Sequence, residues 1–165
     1  MWALPDDVLD ALAERLEVLQ PDIAVEAGSG RSTRILARYA THVVTLEHHP
    51  KFARQTVGDG LPDNVDLRTA ALAPYRTPAG RFPWYDTVLS GRIDFALIDG
   101  PPGESVGRQA AGFALLPLLS ADGECWLDDY TRDHERTCAT LWTEHLPIVV
   151  QPHPDHDRLA VIRLR

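Results

Sequence analysis

The stretch Asp22-Ile23-Ala24-Val25-Glu26-Ala27-Gly28-Ser29-Gly30-Arg31-Ser32-Thr33 decides how this chain folds. Residues 22–27 read as a strand, Gly28-Ser29-Gly30 as a tight turn, and 32–39 as a helix with Ser32 or a neighbour near its cap. Two glycines let the backbone bend sharply and approach a ligand without side chains in the way. A second strand over 42–47 ends on Glu47, about 20 residues past the turn, where an acidic side chain can accept both hydroxyls of a ribose. Strand, glycine turn, helix, strand and acid together fit a nucleoside-binding βαβ unit, the alternative being a plain βα turn followed by a surface glutamate.

The same alternation continues outward. Residues 5–19 carry Val8, Leu9, Leu12, Leu16 and Leu19 on one stripe, an amphipathic helix stopped by Pro21. The segment 1–20 is therefore expected to pack on the core as an N-terminal helix. Pro50 sits where a helix can begin, and 64–69 reads as a third strand. Residues 73–91 hold Pro74, Pro78, Gly80 and Pro83, so they are expected to be mostly loop, with a short helix at 84–89. The apolar run 93–99 is a fourth strand, broken by Gly100-Pro101-Pro102-Gly103. A helix over 108–119, a fifth strand over 124–128, a helix over 133–145 and a closing pair of strands at 147–151 and 159–164 complete the chain. About seven strands with helices between them predict an α/β fold: a single doubly wound, Rossmann-like domain over 1–165 with a mostly parallel sheet.

Composition narrows the class. The chain has 165 residues, one domain's worth, with 44% hydrophobic and 24% charged residues. These values exclude disordered, collagen-like and coiled-coil chains, and no run approaches a membrane span. Sixteen basic residues against 24 acidic ones give a net charge of −8, which argues against a nucleic-acid partner. Lys51 is the only lysine, a bias of composition rather than chemistry. Cys125 and Cys138 do not make a disulfide framework, and Met1 to Asp7 lack the start of a signal peptide. The expectation is a cytoplasmic protein with a small-molecule substrate, no membrane and no nucleic acid.

Two ligand classes use such a turn. A dinucleotide site wants a third glycine where this chain has Thr33, and usually an apolar residue where it has Glu26. An acid at that place suits a ligand with a cationic amino group and no pyrophosphate, such as S-adenosylmethionine. Here the sequence resembles the class I S-adenosylmethionine-dependent methyltransferases over nearly its whole length. Val25 to Thr33 resembles their first motif, Thr45-Leu46-Glu47-His48-His49-Pro50 their second, Asp94 to Gly100 their fourth strand, and Gly123 to Tyr130 their fifth. The resemblance implies sheet order 3-2-1-4-5-7-6 with an antiparallel last strand. It also implies a cofactor site of Glu26, Gly28, Ser29, Gly30, Ser32, Thr33, Glu47, His48 and Asp99. Glu26 would hold the methionyl end, Glu47 the ribose, and His48 would lie beside the adenine. Where members often carry an acid for the adenine amine, this chain has Ala70-Ala71-Leu72, which leaves adenine to the backbone or lowers affinity.

Asp99 ends the fourth strand and Asp128 and Asp129 end the fifth, so the three should converge at the carboxyl edge of the sheet. Converging carboxylates repel unless protonated, paired or neutralised by a cation. Mg²⁺ is one such cation, and it could hold a substrate hydroxyl and lower its pKa. The layout resembles that of metal-dependent O-methyltransferases, although Pro101 and Pro102 stand where some of those enzymes have a polar pair. Adjacent Asp128 and Asp129 can share an ion only if the backbone has left strand geometry. Otherwise one of them caps the next helix and Asp99 binds cofactor or substrate directly. The run Asp99 to Gly103, then Asp128, Asp129, Arg132, Glu135 and Trp142, also resembles a set of small bacterial methyltransferase-like proteins. Arg132 and Glu135, three apart, are expected to form a surface ion pair.

His134, just past the carboxylates, is the best-placed general base, although a solvent-facing helix histidine would look the same. Trp84 and Tyr85 fit either an aromatic wall for substrate or packing over the sheet edge. The expected activity is methyl transfer from S-adenosylmethionine to a small-molecule hydroxyl, with Asp99 and His134 catalytic and Mg²⁺ assistance open. A metal-independent N-methyltransferase and a non-catalytic or partner-dependent S-adenosylmethionine-binding protein are the competing readings. The chain shows no lid of its own, and a second subunit in a homodimer could supply cover.

Overall fold

The computed structural model describes residues 4–58, 60–103 and 105–165. Residues 1–3 of the expected N-terminal segment lie outside the described residues. The chain begins with α1 (Asp6–Leu19), which leads through Pro21 into β1 (Ile23–Ala27), α2 (Arg31–Tyr39) and β2 (His42–Glu47). Then come α3 (Pro50–Val57), β3 (Val65–Thr69), β4 (Leu72–Thr77), β5 (Gly80–Tyr85) and β6 (Ile93–Ile98). The remainder is α4 (Gln109–Leu115), β7 (Leu119–Leu127), α5 (Asp133–His145), β8 (Ile148–Pro152) and β9 (Ala160–Leu164).

Seven strands form one sheet in the order β3-β2-β1-β6-β7-β9-β8. β3, β2, β1, β6 and β7 run parallel, and β9 is antiparallel to both β7 and β8. Counted among sheet strands alone, this is the order 3-2-1-4-5-7-6.

Both faces of the sheet are covered, so the central strands are apolar at successive residues rather than at alternate ones. Ala24, Val43, Phe95, Leu97 and Trp126 point to the face covered by Val8, Leu9, Leu12 and Leu16 of α1 and by Leu36 of α2. Val25, Val44, Ala96, Ile98 and Leu127 point to the other face, where they meet Ala110 and Phe113 of α4 and Trp142 of α5. Each fully buried leucine of α1 stabilises the fold by roughly 1.5–3 kcal/mol relative to leaving it in water.

The structure corrects the expected loop at 73–91 and the short helix at 84–89. β4 and β5 pair as an antiparallel hairpin, with Pro74 opposite Pro83. Proline cannot donate to a ladder, but a two-stranded ribbon consists only of edges, so both prolines are tolerated. Trp84 and Tyr85 are buried in the core cluster of the α4 face, which is the packing alternative for this pair.

Two boundaries also move. The helix expected over 108–119 ends at Leu115 and tightens into one 3₁₀ turn, Leu116–Leu118, where Pro117 has no N–H to continue the ladder. β7 then starts at Leu119 rather than 124, and a register irregularity between Ile93 and Phe95 absorbs the extra residues.

Candidate cofactor and acidic site

The ends of β1, β2, β6 and β7 meet at one edge of the sheet, where a doubly wound fold binds its ligands. Gly28 has φ +93 and donates its N–H to Leu46 O at 2.9 Å. A Cβ there would lie 3.2 Å from Gly100 N and 3.3 Å from the Asp99 carbonyl carbon. The turn after β1 therefore packs directly on the turn after β6, and only glycine satisfies both the dihedral and the spacing. A Cβ on Gly30 would meet nothing within 4 Å, so that flank of the turn is open.

Glu47 is buried at the end of β2 and held from both sides. Ser29 donates to its Oε2 from N at 3.1 Å and from Oγ at 2.9 Å, and His49 N donates to Oε1 at 2.8 Å. Thr56 Oγ1 donates to Ser29 Oγ at 3.0 Å, tying α3 into the same array.

Glu26 is fully buried. Its carboxylate accepts from the hydroxyls of Ser32, Thr33 (2.6 Å) and Thr45 (3.2 Å), and Thr33 Oγ1 also accepts from Gly30 N at 3.2 Å. The structure thus spends Glu26, Ser32 and Thr33 on one another beneath the turn. Burial raises the Glu26 pKa from 4.5 to about 7, against the pull of the three hydroxyl donors.

Two cavities open above this array. One of about 90 Å³ is lined by Gly28, Glu47, His48, Tyr85 and Gly100, and one of about 510 Å³ by Leu4, Gly30, Arg31 and Gln55 among others. They share Ser29, Phe52 and Asp99. Two buried polar atoms of the smaller cavity's lining, His48 Nδ1 and Tyr85 Oη, have no hydrogen-bond partner among the described residues. His48 Nδ1 lies 3.4 Å from Glu47 Oε1, outside hydrogen-bond alignment. Buried polar atoms without partners are costly and are a common mark of a ligand site. A polar nucleoside ligand such as S-adenosylmethionine therefore fits these residues.

Asp99, Asp128 and Asp129 bring ligand-type oxygens within 4.8 Å of one another. Asp129 has φ +61, so the backbone has left strand geometry and the two adjacent side chains reach the same place. Arginines fill that place. Arg158, just before β9, donates Nε to Asp128 Oδ1 at 2.7 Å and Nη2 to Asp128 Oδ2 at 2.6 Å. The same Nη2 lies 3.0 Å from Asp129 Oδ1, and Arg132 Nη1 lies 2.8 Å from Asp129 Oδ2. Every side-chain oxygen of Asp128 and Asp129 thus faces a guanidinium. A divalent ion needs these oxygens free, and the residues as arranged do not fit one.

Arg132 pairs with Asp129 rather than with Glu135, which corrects the expected surface pair. Glu135 is fully buried, and Arg108 Nη1 lies 3.7 Å from its Oε1. Arg108 is itself buried and braces the site. It donates to Pro101 O (3.0 Å), Asp128 O (2.9 Å) and Asp99 O (2.8 Å), joining the turns after β6 and β7. Asp99 opens to both cavities. Burial first, and then the charge of Asp128, push its pKa well above the ordinary carboxylate range, while Arg108 pulls it down. His134 Nε2 accepts from Arg108 N at 3.3 Å and lies 3.6 Å from Cys138 Sγ. It is engaged with the loop that leads into α4.

Arg108 and Arg158 are the site residues that sequence reasoning missed, whereas Tyr85, weighed there as an aromatic wall or as packing, is buried and also lines the smaller cavity. Arg108 and Arg158 have no motif around them, and their partners stand up to 30 positions away. The one available signal was electrostatic: three converging acids required cations from somewhere.

A parallel sheet with one reversed strand, a glycine turn after its first strand and an acid closing its second define the class I S-adenosylmethionine-dependent methyltransferase fold. Solved structures share it. The SAH-bound methyltransferase PaMTH1 of Podospora anserina matches with a TM-score of 0.71 at 20% identity, covering 99% of this chain and 80% of that one. An O-methyltransferase from Bacillus cereus in complex with SAH matches with a TM-score of 0.71 at 16% identity, over 99% and 83%. An rRNA methylase from Streptococcus thermophilus matches with a TM-score of 0.63 at 20% identity, over 99% and 98%. No protein-family model matches the chain, and no curated protein matches it in sequence. No helix among the described residues is long and apolar enough to cross a membrane.

Proposed function

We propose that this protein transfers the methyl group of S-adenosylmethionine to the hydroxyl oxygen of a small molecule. The observation that carries the reading is the cavity pair over Gly28, Gly30 and Glu47, with unpartnered His48 Nδ1 and Tyr85 Oη in the smaller cavity's lining and Asp99 shared between the two. S-adenosylmethionine, when bound, supplies a methyl group activated on a sulfonium.

The chain's own residues do the rest. Gly28 and Gly30 let the backbone approach the ligand, and Glu47, pre-oriented by Ser29 and His49, accepts from the ribose hydroxyls. Asp99 takes the proton of the acceptor hydroxyl. Burial and the charge of Asp128 raise the Asp99 pKa, and a carboxylate with a raised pKa takes up a proton more readily than an ordinary one. An oxygen acceptor is supported by the B. cereus neighbour, which is an O-methyltransferase. The S. thermophilus neighbour is an rRNA methylase. The net charge of −8 supports a small acceptor over RNA, because RNA binding requires a phosphate-neutralising surface.

Calorimetric titration with S-adenosylhomocysteine tests this. Wild type is expected to bind, and Glu47→Ala to bind roughly 10–100-fold more weakly, the loss of one charge-assisted hydrogen bond or more. A folded wild type that does not bind, or a Glu47→Ala variant that binds as well, would sink the reading.

A further inference from the structure

We propose that the guanidinium of Arg158 takes the place of a divalent ion between Asp128 and Asp129, and that such an ion binds at this acidic cluster only once Arg158 is removed. The inference concerns the acidic site alone and stands whether or not the protein transfers methyl groups.

It rests on geometry. Arg158 clasps Asp128 through two parallel hydrogen bonds, Nε to Oδ1 at 2.7 Å and Nη2 to Oδ2 at 2.6 Å. Such a fork matches a carboxylate in both distance and plane and occupies both of its oxygens. The same guanidinium reaches Asp129 Oδ1 at 3.0 Å, so one side chain bridges the two acids as an ion would.

The arginine is also fixed in place from behind. Its carbonyl oxygen accepts from Tyr130 N at 2.7 Å, which locks the segment before β9 against the turn after β7. The other lobe of the cluster is closed in the same way, with Arg132 on Asp129 Oδ2 at 2.8 Å and Arg108 Nη2 3.5 Å from Asp99 Oδ1. A tethered guanidinium pays no association cost to stay, whereas Mg²⁺ gives up its own water shell reluctantly.

Arg158 is accordingly a positioning residue. It sets the placement of Asp128, beside which Asp99 lies, and it does so in the way a structural metal would. With Arg158→Met the charge, the fork on Asp128 and the contact to Asp129 are gone, while Asp128 and Asp129 still converge through the Asp129 turn.

Mn²⁺ binding followed by the loss of the free-ion paramagnetic resonance signal tests the proposal without any cofactor or substrate. Wild type is expected to bind Mn²⁺ no better than its own Asp128→Asn variant. Arg158→Met is expected to bind at least tenfold more tightly than wild type, and Arg158→Met/Asp128→Asn to lose that gain. Wild type that binds Mn²⁺ tightly, with the binding abolished by Asp128→Asn, overturns the proposal even if every Arg158 variant fails to fold. A folded Arg158→Met that gains nothing overturns it as well. Failure of wild type to bind S-adenosylhomocysteine would count against methyl transfer and leave this result untouched.

Discussion

Glu26 shows what one residue decides at this site. A strand that ends at a glycine turn carries an acid, and the fold encloses that acid completely and gives it three hydroxyl donors. Hydroxyls are weaker partners for a carboxylate than a guanidinium, so burial wins and the pKa rises from 4.5 to about 7. A raised carboxyl pKa means that the folded state binds the proton more tightly than the unfolded one. Its contribution to stability is therefore fully present below the unfolded value and is lost as pH rises through about 7. At one pKa unit per 1.36 kcal/mol, the loss is about 3 kcal/mol. Glu26→Gln removes the titrating group. Urea unfolding at about pH 5 and about pH 8.5 should show the variant losing about 2.5 kcal/mol less than wild type over that interval. Equal losses in the two proteins would mean that Glu26 does not titrate in this window.

At the scale of elements, the contact between α4 and α5 is set by the absence of a side chain. Gly112 lies in the middle of α4, where alanine would be preferred by about 1 kcal/mol on helix propensity alone. A Cβ there would fall 2.3 Å from Trp142 Cδ2 of α5. The indole cannot step aside, because its Nε1 donates to Gln109 O at 2.7 Å and the ring is fully buried. Overpacking typically costs 1–3 kcal/mol and more where the neighbour is fixed, so it outweighs the propensity gain. Gly112→Ala should lower stability by about 2 kcal/mol in denaturant unfolding, with the slope unchanged. A variant as stable as wild type would show that the two helices can separate at little cost. The hairpin of β4 and β5 belongs to this scale too. Its prolines read as loop because strand patterns are scored as if every residue must donate to a ladder, and Pro74 opposite Pro83 in a two-stranded ribbon is exempt.

Across the whole molecule, Glu124 joins the beginning of the chain to its end. It sits buried in β7 and receives Arg15 of α1 at 2.6 and 3.0 Å, together with Arg163 of β9. Burial pushes its pKa up, and the two arginines more than reverse this, so the net shift is downward. A lowered carboxyl pKa stabilises the fold above the unfolded value, and the contribution is lost as pH falls through the folded one. Arg15 and Arg163 are partly exposed and can return to water when their partner is lost. Glu124→Gln should therefore cost about 2 kcal/mol near neutral pH, with the difference from wild type closing as pH falls below the ordinary carboxylate range. A difference that persists unchanged in acid would assign the cost to packing rather than to charge. Glu26 and Glu124 thus act in opposite directions, one favouring low pH and the other high.

The sheet, its helices and the ligand-facing edge were all legible in the sequence, because periodicity and turn chemistry are local properties. Apolar runs of strand length, the stripe of Val8, Leu9, Leu12 and Leu16, and glycines before a helix carry their meaning within a few residues. Glu47 was legible for the same reason, since its place at the end of β2 follows from the strand itself. The convergence of Asp99, Asp128 and Asp129 also followed from strand ends once the sheet order was in hand. What neutralises those acids did not. Arg158 meets Asp128 across 30 positions and Arg108 meets the Asp128 carbonyl across 20, and no spacing rule connects them. The burial of Glu26 and the lodging of Tyr85 beneath the Gly100 turn were decided in the same way. A side chain's partner depends on which surfaces the packed sheet and helices bring together, and that information exists only in the folded chain.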